Sequence, residues 1–196
     1  MVNLYIELGL KFFFLVTPFF ALSMFLAMTA DKSVPERRAL AHRTACATVV
    51  IAGSLLFFGQ TIFAIFGITV DAFRIGAGIL LLLTAIALMN PKVIASEAGE
   101  DISVVPLAMP VIIGPASCGA IMVASAELSS FAEKLIGFAA LVSALFLVWV
   151  ILLLGTWIEK RLGKRGISIL MRLTALILAA LSAQMIMTGV TGFLGK

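Results

Sequence analysis

Pro106-Leu107-Ala108-Met109-Pro110-Val111-Ile112-Ile113-Gly114-Pro115-Ala116-Ser117-Cys118-Gly119-Ala120-Ile121-Met122 is an apolar run interrupted at its middle by glycine and proline. Proline has no backbone N–H to donate and clashes with the preceding turn, so Pro115 ends one helical segment and starts another. In hydrocarbon an unpaired backbone group is costly, and a broken helix persists only where protein or a water-filled cavity satisfies the freed groups. The stretch therefore reads as one half of a binding site. The rest of the chain is as apolar: 62% of its 196 residues are hydrophobic, 12% are charged, and the mean hydropathy is +1.19. A soluble domain could not cover that apolar fraction with polar surface.

A spanning helix needs roughly 20 mainly apolar residues. Six charge-free windows come near that length: 12–30, 44–70, 75–91, 102–126, 135–158 and 173–195. They predict an all-α polytopic membrane protein with six transmembrane helices, in which helices 1 and 4 are interrupted. The first helix begins near Leu4, with Glu7 and Lys11 one turn apart near the interface, where they can pair or snorkel. It lacks a basic leader and its apolar run is too long for a signal peptide, so it reads as a mature span whose phenylalanine-rich face meets lipid. Ser33-Val34-Pro35-Glu36 has the capping-box pattern that would start helix 2 ahead of the bilayer. Asn90-Pro91 closes helix 3.

Residues 92–101 form the one polar linker and divide the chain into halves, 1–91 and 102–196. A shift of 97 places Pro18 on Pro115, Glu36 on Glu133, Arg37 on Lys134 and Cys46 on Ser143, and a shift of 98 places Arg74 on Arg172. Matches among Leu, Ile and Ala are discounted, because such a composition produces them by chance. With three helices in each half, the second copy enters the membrane from the opposite side, which makes an inverted repeat. Ten lysines and arginines fall in the loops after helices 1, 3 and 5, the linker included, against four on the other face. The positive-inside rule then makes the linker cytoplasmic and puts both termini on the far side, periplasmic in a bacterial inner membrane.

Inverted repeats interrupted at the same place point to a secondary-transporter site near the midplane. Thr17-Pro18 and Gly114-Pro115 meet that description: Thr17 is positioned to N-cap, and each proline occupies a first helical position. The N–H groups that follow, of Phe19 and Phe20 and of Ala116, Ser117 and Cys118, would lack acceptors and carry the positive end of a helix dipole. Two such ends would receive a carboxylate or another small anionic group. Thr17 and Ser117 add hydroxyls, and Ser23 lies about one and a half turns beyond Pro18. A single proline kink serves packing more often than binding; the symmetric pair is what argues for a site. Thr84, Ser182 and Gln184 are pore-lining candidates, although hydrogen bonding between helices is the commoner role of such residues. Gly76 and Gly78 suit close helix packing, the Lys160–Arg165 cluster reads as a loop, and Arg74 and Arg172 read as interfacial anchors. Trp149 and Trp157 fall on helix 5, with Trp157 near its end.

Several classes are excluded. The net charge of +4 comes from short clusters between apolar runs, which is a topology signal and not a nucleic-acid face. Cys46 and Cys118 lie far apart and His42 is the single histidine, so no metal, cofactor or redox site is expected. No Asp, Glu, Lys, Arg or His stands in mid-span, which argues against an intramembrane enzyme and against coupling through a buried acid; the coupling ion stays open.

Val104-Val105-Pro106-Leu107-Ala108-Met109-Pro110, followed by Gly114-Pro115, resembles the V-P-L-A-x-P…G-P-G pattern of the MarC family of bacterial and archaeal inner-membrane proteins. Similar support comes from Glu36-Arg37-Arg38, from Phe66-Gly67-Ile68-Thr69 with Phe73 to Ile79, and from Gly166-Ile167 leading to Arg172 and Thr188-Gly189-Val190. The resemblance covers nearly the whole chain. It implies six helices with both ends periplasmic, and some relatives are described as transporters of small neutral amino acids. The chain departs from the family at Thr17-Pro18, where Asn-Pro is usual, at Ala116, where Gly-Pro-Gly is usual, and at Ala175 and Ser182, where glycine is frequent. Two functions follow as expectations: a transporter or exporter of a small polar solute, or a membrane scaffold or regulatory partner in which the prolines serve packing. The lipid bilayer is a partner under either, and the oligomeric state is left open.

Overall fold

In a computed structural model of the chain, the described residues are 1–89 and 113–195. The first span is two helices, α1 (Val2–Leu15) and α2 (Pro18–Met28), with Pro18 at the first helical position of the second. It is followed by α3 (Val34–Phe66) and α4 (Val70–Met89). After residue 113 come α5 (Pro115–Glu127), α6 (Phe131–Leu153) and α7 (Gly155–Leu194). Among the described residues, five spans are long and apolar enough to cross a membrane, counting Val2–Met28 as one. The expected fourth span is represented by α5, its second half; residues 102–112 and the linker 92–101 lie outside the described residues.

Local chemistry sets the helix ends. Ser33 and Glu36 close the expected capping box at the start of α3, with the Ser33 N–H donating to Glu36 Oε2 at 2.8 Å. A second box stands 97 residues on: the Glu133 N–H donates to Ser130 Oγ, and the Ser130 N–H to Glu133 Oε2, both at 3.1 Å. Gly67 stops α3 in the left-handed region at φ 64°, and the Ile68 N–H bonds back to the Phe63 carbonyl at 3.1 Å. Lys11 and Glu7 form the expected ion pair at 2.7 Å.

The bundle centres on α4 packed along α7, with α1 against α6, α3 against α5 and α6, α4 against α5, and α2 against α6 and α7. Phe12, Val16, Leu22, Leu56, Ile121 and Leu178 fill its interior. Close crossings depend on missing side chains: a Cβ on Gly59 of α3 would stand 3.0 Å from Met122 Cα of α5. Gly78 behaves as expected, since a Cβ there would meet Ile186 at 2.7 Å, whereas one on Gly76 would meet nothing within 4 Å. Val50, Phe58, Ile65, Ile86, Phe146 and Leu176 face outward and exposed, which suits hydrocarbon as the surrounding solvent.

Three expectations need correction. The phenylalanines of the first span are not a lipid face: Phe12 and Phe25 are buried, and Phe13, Phe19 and Phe20 pack against the core, because the break turns both half-helices into the bundle. The Lys160–Arg165 cluster is not an extended loop: it lies on two helical segments that meet at Gly163, where the backbone is non-helical. Its residues other than glycine are good helix formers, and α7 starts at Gly155 and changes direction at Gly163, at φ 64°. Trp157 consequently belongs to α7, where Arg161 stacks on its ring at 5.6 Å.

Candidate functional site

The first span is broken, not merely bent. Thr17 lies between α1 and α2 at φ 49°, ψ 61°, the single non-glycine residue with positive φ among the described residues. That conformation overturns the expected side-chain cap. A capping hydroxyl reaches the helix N–H groups from extended backbone, and Thr17 makes no such bond. Its carbonyl accepts from the Ala21 N–H at 3.0 Å, which starts α2. At the start of α5 Gly114 is extended, at φ −78° and ψ 173°, and Pro115 takes the first helical position; whether a helix is interrupted here falls on residues outside the described ones. The Cys118 N–H is engaged by the Gly114 carbonyl at 3.0 Å, so it is not one of the open donors. The N–H groups of Phe19, Phe20, Ala116 and Ser117 precede the first intrahelical bond at each end.

The break in the first span meets the start of α5. Ser117 Oγ donates to the Leu15 carbonyl at 2.7 Å across 102 positions of sequence. Leu15 ends α1, so its carbonyl has lost its helical partner, and Ser117 supplies the replacement. The serine hydroxyl therefore ties the break to α5 instead of standing open. At the junction Thr17, Pro18, Ala116 and Ser117 are buried, while Pro115 is exposed and Gly114 half-buried.

A cavity lies on either side of the junction. One, of about 80 Å³, is lined by the facing ends of α1, α4, α5 and α7 and reaches down to Leu15. Its polar lining is Lys11, Arg74, Glu127, Gln184 and Thr188. The other, of about 540 Å³, is lined by Ser23, Leu26 and Ala27 of α2, by Ala30 just beyond it, by Arg37, and by the first half of α7. It is on the side of the basic clusters. Ser23 thus belongs to this second cavity and not to the junction, and Gln184 belongs to the first. Thr84 and Ser182 line neither: Thr84 donates to the Leu80 carbonyl of its own helix at 2.9 Å, and the buried Ser182 bonds the Gly78 carbonyl at 2.8 Å, clasping α4 to α7.

Arg74 is no simple interfacial anchor. Its side chain is 17% exposed, and it donates to Asp71 Oδ1 at 3.0 Å and to Glu127 Oε1 at 2.9 Å. Sequence reasoning missed this cluster because Arg74 and Asp71 only flank an apolar window and Glu127 is 53 residues away. Arg172, by contrast, is exposed.

A broken first span that meets the start of α5 inside an apolar bundle, with exposed apolar flanks, defines a polytopic integral membrane protein. The chain belongs to the MarC family: the sequence pattern of the MarC family integral membrane proteins matches residues 2–194. It is 34% identical over 191 residues to the UPF0056 membrane protein MJ1677 of Methanocaldococcus jannaschii, covering 93% of each chain. It is 31% identical to the UPF0056 membrane protein YvbG of Bacillus subtilis, over 98% of this chain and 96% of that one. With the UPF0056 membrane protein YhcE of Escherichia coli it shares 28% identity, over 96% and 92% of the two chains. No solved structure matches the chain.

Proposed function

We propose that this MarC-family protein is a secondary transporter or exporter of a small polar solute such as a neutral amino acid. It works without enzymatic chemistry, by alternating access between two inverted three-helix repeats, residues 1–91 and 102–196. The observation that carries the reading is the correspondence of the two cavities. Ser23, Leu26, Ala27 and Ala30 line one, and Ala120, Val123, Ala124 and Glu127, each 97 positions on, line the other. Equivalent walls facing opposite sides of one junction are what an inverted repeat produces. Helix pairing agrees at the equivalent half-helices: contact of α2 with α6 corresponds to that of α5 with α3, and contact of α2 with α7 to that of α5 with α4. The capping boxes at Ser33 and Ser130 repeat at the same spacing.

In this reading the solute's carboxylate meets the open N–H groups at Pro18 and Pro115, with Thr17, Gly114, Ala116 and Ser117 around it. Ser23, Gln184 and the other cavity residues form the approaches. The termini are periplasmic and the protein resides in the inner membrane. Counterflow of labelled neutral amino acids in liposomes tests the proposal without a guess at direction or driving ion. Saturable exchange that is lost in Gly114→Leu, with membrane insertion intact, is the expected result. A folded protein that exchanges none of them would favour the scaffold reading.

A further inference from the structure

We infer that Arg74 takes the carboxylate of a small solute in the outer cavity, exchanging Glu127 for it while Asp71 stays in place. The inference rests on the transporter reading for its purpose and on the local geometry for its residues. An arginine that anchors a helix at the interface reaches outward to headgroups. Arg74 instead lines the cavity, sandwiched between α5 and α7, and its Nε is buried with no hydrogen-bond partner among the described residues. A guanidinium carries five donors in a planar fork suited to a carboxylate.

Its two carboxylate partners differ. Asp71 sits against α7, where a Cβ on Gly192 would lie 2.7 Å from its Oδ1 and a Cβ on Gly189 would lie 2.7 Å from its carbonyl oxygen. The Gly189 Cβ would also stand 3.0 Å from Arg74 Cβ. These two glycines let α7 close on Asp71 and Arg74 and hold them, which gives Thr188-Gly189-Val190 a structural reason. Glu127 is the last residue of α5, and its side chain is 44% exposed. An ion pair with so exposed a partner is weak and is easily replaced by another carboxylate. Lys11, the other cation on the cavity wall, pairs with Glu7 at 2.7 Å and is the more exposed of the two, at 34% against 17% for Arg74. A volume of about 80 Å³ limits the entrant to a small molecule, with Gln184 and Thr188 available to its remaining polar groups. The second cavity has Ala30 where the first has Glu127, so the exchange belongs to one face.

The experiment measures binding of L-alanine and of L-alaninamide, which lacks the carboxylate, to the purified full chain by calorimetry, beside alanine counterflow in liposomes. The wild type is expected to bind alanine about tenfold more tightly than the amide. Glu127→Gln, by releasing the guanidinium, should tighten alanine binding several-fold, and Arg74→Gln should lower the preference to what the junction N–H groups alone give. Because Arg74→Gln strands the Asp71 carboxylate, the double variant Asp71→Asn with Arg74→Gln serves as a folded second case. An equal preference in the wild type and both Arg74 variants, or no alanine binding by the wild type, overturns the assignment. A wild type that prefers alanine through Arg74 yet exchanges nothing upholds the assignment and removes the transporter reading.

Discussion

Thr17 carries the sharpest local conflict in the chain. A left-handed residue with a Cβ costs about 1–2 kcal/mol, and a following proline restricts it further. Asparagine tolerates that region better than a β-branched residue, which accounts for the family's Asn-Pro at this place. Thr17→Asn is therefore expected to raise stability by about 0.5–1 kcal/mol without closing the break, read as a higher melting temperature in detergent. Ser117→Ala should act oppositely: it leaves the buried Leu15 carbonyl without its partner, at about 1–3 kcal/mol. Measured by the same melt, an unchanged Ser117→Ala would mean that the bond does not join the break to α5. The prolines were legible in sequence because their chemistry acts on adjacent residues. The Ser117 to Leu15 bond was not, since nothing local to either residue records a partner 102 positions away. Arg74 was misread for a similar reason, its position beside an apolar run saying nothing of Glu127.

At the level of helices, length and hydropathy carry most of the information. The span limits of α3, α4 and α6 follow from apolar windows extended to their caps, and Ser33 marks the start of α3 before it enters lipid. Hydropathy fails where a helix is polar: the Lys160–Arg165 charges read as a loop, yet they lie on the first turns of α7, either side of the break at Gly163, where propensity supports helix. Close packing was visible as glycines but not which of them matter, since Gly78 meets α7 and Gly76 meets nothing. Two outcomes are expected for these elements. Gly59→Leu forces α3 off the Met122 backbone and should destabilise by about 1–3 kcal/mol in thermal melts, more than Gly76→Leu. Ser130→Ala removes the acceptor of the Glu133 N–H and should cost about 1 kcal/mol, more than Ser33→Ala, because the Ser33 hydroxyl donates to Glu36 Oε2 and caps no helix N–H.

For the molecule as a whole, the proposed transport has two equivalent cavities taking turns to open around one junction. Sequence could suggest the repeat through Pro18 and Pro115, but the matching of cavity walls requires the fold, because the walls combine helices from both halves. The direct measurement is thiol accessibility in vesicles of known orientation, with Cys46 and Cys118 first replaced by alanine. Cysteine is then placed at Val123 or at Leu26, equivalent positions on the two walls, and labelled with a membrane-impermeant reagent from each side. Val123→Cys is expected to be labelled from the side of the termini and Leu26→Cys from the other. Saturating solute should change the two rates in opposite directions. Labelling of both from one side, or rates that rise and fall together, would contradict alternating access.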